Sequence, residues 1–433
     1  MNVCVQGLWH LGTVTAACLA SVGHRVVGLD FDTSTTDKLT KGIPPLFEPG
    51  LEQLIKDGLA CGRLSFSADG EAARDAEVLW VAYDTPVDEE DVADVEFVVS
   101  RIERSLPHLA SGSLVLVSSQ MPAGSIRRLE EIAARRFPDR RFEFACSPEN
   151  LRLGKALDVF LKPDRIVVGV RSEGGRQKLD RLLKTITDRI EWMSVESAEM
   201  TKHAINAFLA TSVTFANEIA AICEKVGADA KEVERGLKTE NRIGPKAYLS
   251  PGGAFAGGTL ARDIVFLNRI AADVRLTTPL LSSVRPSNEV HKQWATRKLQ
   301  ALFPNLSQAR VAVWGLTYKP GTDTLRRSMS VELCDWLIAR GATVCVHDPA
   351  VKALPGEWTG KVERADDPVA AVKGAQALVM STEWPQYREV APSQIVDAAP
   401  GIVVLDANRF LFHLAGHAML KYVAVGMPSL QSK

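Results

Sequence analysis

The stretch "NVCVQGLWHLGTVTAACLASVGHRVVGLD", residues 2–30, constrains this chain more than any other. An apolar run ends at Gly7, a helical run of small residues follows, and a second apolar run ends at Asp30. A strand–helix–strand unit of this length makes its two strands parallel neighbours with the helix laid across one face. "VLWVAY" (78–83), "SLVLVSS" (113–119), "RFEFACS" (141–147) and "RIVVGV" (165–170) continue as the near-continuous apolar runs of strands buried on both faces. Residues 196–300 change to helical spacing, and "SAEMTKHAINAFLATSVTFANEIAAICEKVG" reads as one long helix closing at Gly227. From Arg310 the first pattern restarts with "RVAVWGL", a helix at 328–340, then "TVCVHDP", "ALVMSTEW" and "GIVVLDAN". The expected architecture is α/β: two Rossmann-like doubly wound parallel-sheet domains, 1–195 and 301–433, joined by a central helical domain, 196–300.

Composition narrows the function. Of 433 residues, 46% are hydrophobic and 24% charged, with a formal charge of -1. No long run of one charge sign points to nucleic acid or an anionic membrane. No apolar run approaches the ~20 residues of a bilayer span. "MNVCVQG" has no basic segment of a signal peptide. The seven cysteines are scattered and none forms a CxxC pair, so the expectation is reduced thiols in a cytoplasmic protein, without disulfides or metal.

"GLWHLG" at 7–12 follows the first strand and opens the first helix. A dinucleotide-binding turn has GxGxxG in that place and an acid about 20 residues on, which Asp30 supplies. Gly7 and Gly12 are present; Trp9 replaces the middle glycine, so its side chain must turn away or narrow the site. The cofactor expected is NAD.

Six further stretches resemble the UDP-glucose/GDP-mannose (nucleotide-sugar) dehydrogenase family: "GIPPLFEPGLEQLI" (42–55), "SPENLRLGKALDVFLKPDRIVVG" (147–169), "KHAINAFLAT" (202–211), "NRIG" (241–244), "GLTYKPGTDTLRRS" (315–328) and "TEW" (382–384). The resemblance spans nearly the whole chain. It implies oxidation of the C6 alcohol of a sugar nucleotide by two NAD+, through an aldehyde and a cysteine thioester. It implies cofactor contacts at Gly7, Trp9, His10, Leu11, Gly12, Asp30, Thr85 and Pro86, and substrate contacts at Leu151, Arg242, Lys246, Phe255, Gly257, Lys319 and Arg326. Lys202 and Asn206, four apart on one helix face, correspond to the pair that holds the reacting oxygen, and a cation suits a developing oxyanion. Glu149 corresponds to the glutamate managing the hydrolytic water, and Asp263 to the aspartate closing the catalytic loop. A homodimer through the central helix is also implied.

The chain departs from the family at the nucleophile. Counting back from Asp263 in "GGAFAGGTLARD", the cysteine position holds Thr259. Gln120 stands where a threonine orients water, and Asn408–Arg409 reverse the family's order. A thiol with pKa ~8.5 is partly ionised near neutrality; a threonine hydroxyl needs a positioned base and is hindered by β-branching. Cys146 lies at the end of a strand, outside this loop. Four readings follow: oxidation of a UDP-glucose-like or dTDP-sugar through a hydrated aldehyde without thioester; oxidation that stops at the aldehyde or serves a modified sugar; a non-catalytic nucleotide-sugar-binding protein; and an NAD-using epimerase or dehydratase acting by transient oxidation. Lys202, Asn206, Glu149, Asp263 and Asp30 are all kept while the losses gather around the thiol and its water. That pattern favours altered chemistry over none.

Overall fold

The computed structural model describes residues 1–88, 92–149 and 151–428. It divides into two compact units, residues 1–205 with 272–274, and residues 206–271 with 275–433. The division falls inside one long helix, Val195–Val226. Gly227 ends that helix in the left-handed region (φ 80°), where a residue with a Cβ is disfavoured.

The first unit is built on eight strands: β1 (Asn2–Gln6), β2 (Arg25–Leu29), β3 (Leu64–Ser67), β4 (Val78–Val81), β5 (Leu114–Val117), β6 (Glu143–Cys146), β7 (Ile166–Gly169) and β8 (Ile190–Met193). Their order is β3-β2-β1-β4-β5-β6-β7-β8. The order reverses between β1 and β4, and crevices at such switch points are where ligands of open α/β sheets bind. The central strands are sealed on both faces, as their unbroken Val/Leu content requires. One pairing breaks the parallel pattern. β7 runs antiparallel to β6, with Cys146 opposite Gly169. The last residue of each strand meets the other, so β7 starts beyond the end of β6 and runs back toward it.

The second unit carries β9 (Arg310–Trp314), β10 (Thr343–His347), β11 (Val362–Arg364), β12 (Ala377–Met380), β13 (Val403–Asp406) and β14 (Lys421–Val423). Their order, β11-β10-β9-β12-β13-β14, is parallel throughout and again reverses beside its first strand. Helices Ala230–Thr239, Thr259–Asp273, Pro279–Lys292 and Trp294–Leu302 precede this sheet in the chain. The molecule thus has two parallel-sheet α/β domains with a helical region between them in sequence.

Candidate active site

In the first unit, the turn after β1 is shaped by what cannot fit there. Gly7 has φ 93°, and a Cβ on it would lie 2.7 Å from the Tyr83 ring. A Cβ on Gly12 would lie 1.7 Å from the carbonyl oxygen of Gly7, so helix His10–Ser21 comes closer to the strand end than any side chain permits. Trp9 caps that helix in an extended conformation (φ -80°, ψ -152°) that any residue adopts, and its side chain is 53% exposed. The missing middle glycine therefore costs this backbone nothing. Asp30 closes β2 and accepts the N–H of Leu8 at 2.8 Å and that of Asp32 at 3.0 Å, which ties the acid to the turn. Leu11 is buried in the core beneath. Farther along the edge, Thr85 donates its hydroxyl to the Gln120 carbonyl at 2.7 Å, and the Pro86 carbonyl accepts the Asp94 N–H at 2.8 Å. A glycine turn, an acid at the second strand and an open helix N-terminus fit a dinucleotide: the backbone N–H groups would hold its pyrophosphate and the acid its ribose.

Glu149 follows β6. Its carboxylate accepts the Leu151 N–H, and its carbonyl accepts the Lys202 ammonium at 2.7 Å. Burial pushes the Glu149 carboxyl above its ordinary range, against the opposing pull of Lys202 and the Leu151 N–H. A carboxyl shifted upward is fitted to take and return protons near neutrality. Gln120, Glu149 and Lys202 share one small cavity with Ser119, Glu199 and His203. Cys146 also reaches it, but the thiol is buried and pushed upward by that burial and by the Glu199 charge. It offers no thiolate.

Glu48 was not singled out from sequence, although it sits within the stretch 42–55. It is 3% exposed and holds three groups: the N–H of Gly154 at 2.8 Å, the N–H of Ala156 at 2.9 Å and, at 3.0 Å, Nε2 of His10. It thus fastens the dinucleotide turn to the loop that follows Glu149.

In the second unit, Asn206 donates its amide to Asp263, and both are buried. Thr259 is the first residue of helix Thr259–Asp273. It is exposed, and among the described residues its hydroxyl has no hydrogen-bond partner. No base stands ready to activate it. The loop before it is gripped by side chains to which sequence reading gave no role. Asn217 accepts the Gly252 N–H at 2.9 Å, and Asn288 pairs with both the N–H and the carbonyl of Phe255 at 3.0 and 2.8 Å. Nε2 of His291 lies 2.7 Å from the Gly252 carbonyl, and Asn408 accepts the Gly253 N–H at 2.7 Å. Gly257 offers its carbonyl to the Tyr318 hydroxyl at 3.5 Å. Arg409 is committed elsewhere, in a two-pronged pair with Asp229 at 2.7 and 3.0 Å. Arg242 extends into solvent beside Glu240 at 2.9 Å; Lys246 and Arg326 are exposed and Lys319 is partly buried. Among the described residues, no group of three His, Cys, Asp or Glu could hold a metal ion.

Comparison with known proteins agrees with these features along the chain. The UDP-glucose/GDP-mannose dehydrogenase family matches in three parts: its NAD binding domain over residues 1–187, its central domain over 196–290 and its UDP binding domain over 312–413. A UDP-glucose 6-dehydrogenase of Pseudomonas aeruginosa is 36% identical, over 99% of this chain and 97% of its own length. One from Bacillus subtilis is 32% identical, over 98% of each. The solved UDP-glucose dehydrogenase of Pyrobaculum islandicum superposes with a TM-score of 0.86 at 31% identity, covering 98% of both chains.

Proposed function

This chain belongs to the UDP-glucose/GDP-mannose dehydrogenase family, and from that premise we propose that it oxidises the C6 hydroxymethyl of a UDP-glucose-like nucleotide sugar through a hydrated aldehyde, without a thioester. NAD-dependent nucleotide-sugar oxidation is the activity of the family as a whole; the proposal concerns the sugar and the covalent step. One observation carries it: among the described residues Thr259 has no hydrogen-bonded base, and the buried Cys146 thiol is pushed upward by its burial. The relatives' names supply the sugar class.

NAD+, when bound, would supply the hydride acceptor for each of the two oxidations. The rest falls to side chains. Lys202 and Asn206, on one face of their helix, steady the reacting oxygen as charge develops. Asp263 holds the Asn206 amide in place. Glu149 receives the hydroxyl proton at each hydride transfer, first that of the alcohol and, once it has released it, that of the hydrated aldehyde, with its raised pKa suiting the task. Arg242, Lys246, Lys319 and Arg326 remain candidates for the nucleotide's phosphates, and Leu151, Phe255 and Gly257 for the sugar. The test is a panel of UDP-, dTDP- and GDP-hexoses with NAD+, followed by NADH release and product mass. A uronate with two NADH per UDP-hexose supports the proposal; an aldehyde with one NADH, or no NADH with any sugar, sinks it.

The long helix supports a second proposal, a homodimer. Phe208, Phe215 and Ile222 recur every seven residues and stand 68%, 47% and 57% exposed. By length and composition this helix also suits a bilayer span. Yet it buries Glu199, His203, Asn206 and Asn217 against the protein, which fits a subunit interface better. Phe215→Glu should convert the dimer to monomer in light scattering; an unchanged mass, or a parent chain that is itself monomeric, overturns the proposal.

A further inference from the structure

Beside Glu149 the first unit encloses a cavity of about 20 Å³, walled by Ser119, Gln120, Cys146, Glu199 and Lys202 as well as Glu149 itself. Ser119 is 7% exposed, and its Oγ, sealed from solvent, meets no hydrogen-bond partner among the described residues. Buried hydroxyls are nearly always paired with protein or water. One water needs about 10–15 Å³ and two to four polar neighbours. Both conditions are met. Glu199 lies opposite on the long helix, its carboxylate accepting the N–H groups of Gly124 at 2.8 Å and Ile126 at 3.0 Å. Those two bonds leave it further lone pairs.

We propose that this cavity is a binding site for one ordered water, anchored by Ser119 Oγ, and that the water is the proton outlet of Glu149. The second half rests on the reading of Glu149 as the proton-transfer group. The step is a double transfer. The proton on the Glu149 carboxyl moves to the water oxygen while one water proton moves to the Glu199 carboxylate, so only O–H bonds change and the water ends as it began. Burial holds both carboxyls above their ordinary range.

Ser119→Ala tests both halves. If the cavity is dry, alanine removes an unsatisfied hydroxyl and nothing else, so Tm holds or rises and turnover is unchanged. With the water present, Tm falls by a few degrees. kcat for sugar oxidation falls on the order of tenfold with KM held, and the solvent deuterium isotope effect on kcat changes. Ser119→Thr, which keeps the hydroxyl, should restore kcat. An unchanged Tm together with unchanged kcat overturns the water site. A lowered Tm with unchanged kcat overturns the proton outlet and leaves a structural water. Because Tm is read without substrate, failure of the proposed sugar oxidation would leave the first half standing on its own measurement.

Discussion

Replacing Glu48 by alanine removes the carboxylate that joins two loops of the NAD-binding unit. Its three partners are the N–H groups of Gly154 and Ala156, at 2.8 and 2.9 Å, and His10 at 3.0 Å. Without it both N–H groups lack an acceptor, and each costs about 1–3 kcal/mol when buried. The Gly154 contact is only part-buried, so it belongs at the low end. The sum is about 2–4 kcal/mol, or a Tm on the order of 10 °C lower. Glu48→Gln keeps the shape and one acceptor oxygen, so about half the loss is expected. pH supplies a second signature. Burial raises the Glu48 carboxyl, but the Gly154 and Ala156 N–H groups and His10 outweigh it and hold it below its ordinary range. With the folded pKa depressed, the stabilisation is present above the unfolded value of ~4.3 and is lost as pH falls through the folded one. The gap between parent and variant should therefore be full at pH 7 and shrink only in strong acid. Thermal melts of parent, Glu48→Ala and Glu48→Gln across that range measure it. An alanine variant melting within about 1 °C of the parent at pH 7 would refute the reasoning.

Gly12→Ala must move the helix or the turn, because its Cβ would sit 1.7 Å from the Gly7 carbonyl oxygen; NAD binding, read by calorimetry, should weaken at least tenfold, given about 1–3 kcal/mol of overpacking. Trp9→Gly, at an exposed side chain on ordinary backbone, should change NAD affinity by less than about threefold in the same titration. In the parent, kcat should rise with pH through a group above the ordinary carboxyl range, and Glu149→Gln should remove that limb. The raised Glu149 also means that the folded chain binds the extra proton, so stability falls as pH rises between the unfolded and folded values; melts of Glu149→Gln should lack that slope. Iodoacetamide should modify exposed Cys61 and leave turnover intact, since the other six thiols are buried.

Much of the fold was legible because buried parallel strands must be apolar on both faces. β1, β4, β5, β9, β12 and β13 announce themselves in this way. β3, β8, β11 and β14 did not. They lie at sheet edges or are half-covered, so "LSFS" and "IEWM" need no continuous apolar run. The reversal of β7 was likewise invisible, since an apolar run carries no direction. At the site, Gly7, Gly12 and Asp30 could be read because each has a steric or charge reason tied to its position. Glu48 and the Asn217, Asn288, His291 and Asn408 grip could not. Their partners are backbone groups distant in sequence, and an isolated polar residue gives no sign of which carbonyl or N–H it will meet. Thr259 shows the converse case. Sequence placed it at the nucleophile's position, and the structure adds that its hydroxyl meets no base among the described residues.

The most direct measurement of the central claim is NADH formed per UDP-hexose consumed, by the parent and by Thr259→Ala side by side, with the product mass recorded. A chain that uses no covalent intermediate at 259 should give the same product and stoichiometry in both, with rates within about threefold, since only an exposed methyl and an unpartnered hydroxyl are altered. Loss of turnover by several orders of magnitude in Thr259→Ala, with parent activity intact, would make the threonine a nucleophile and contradict the account.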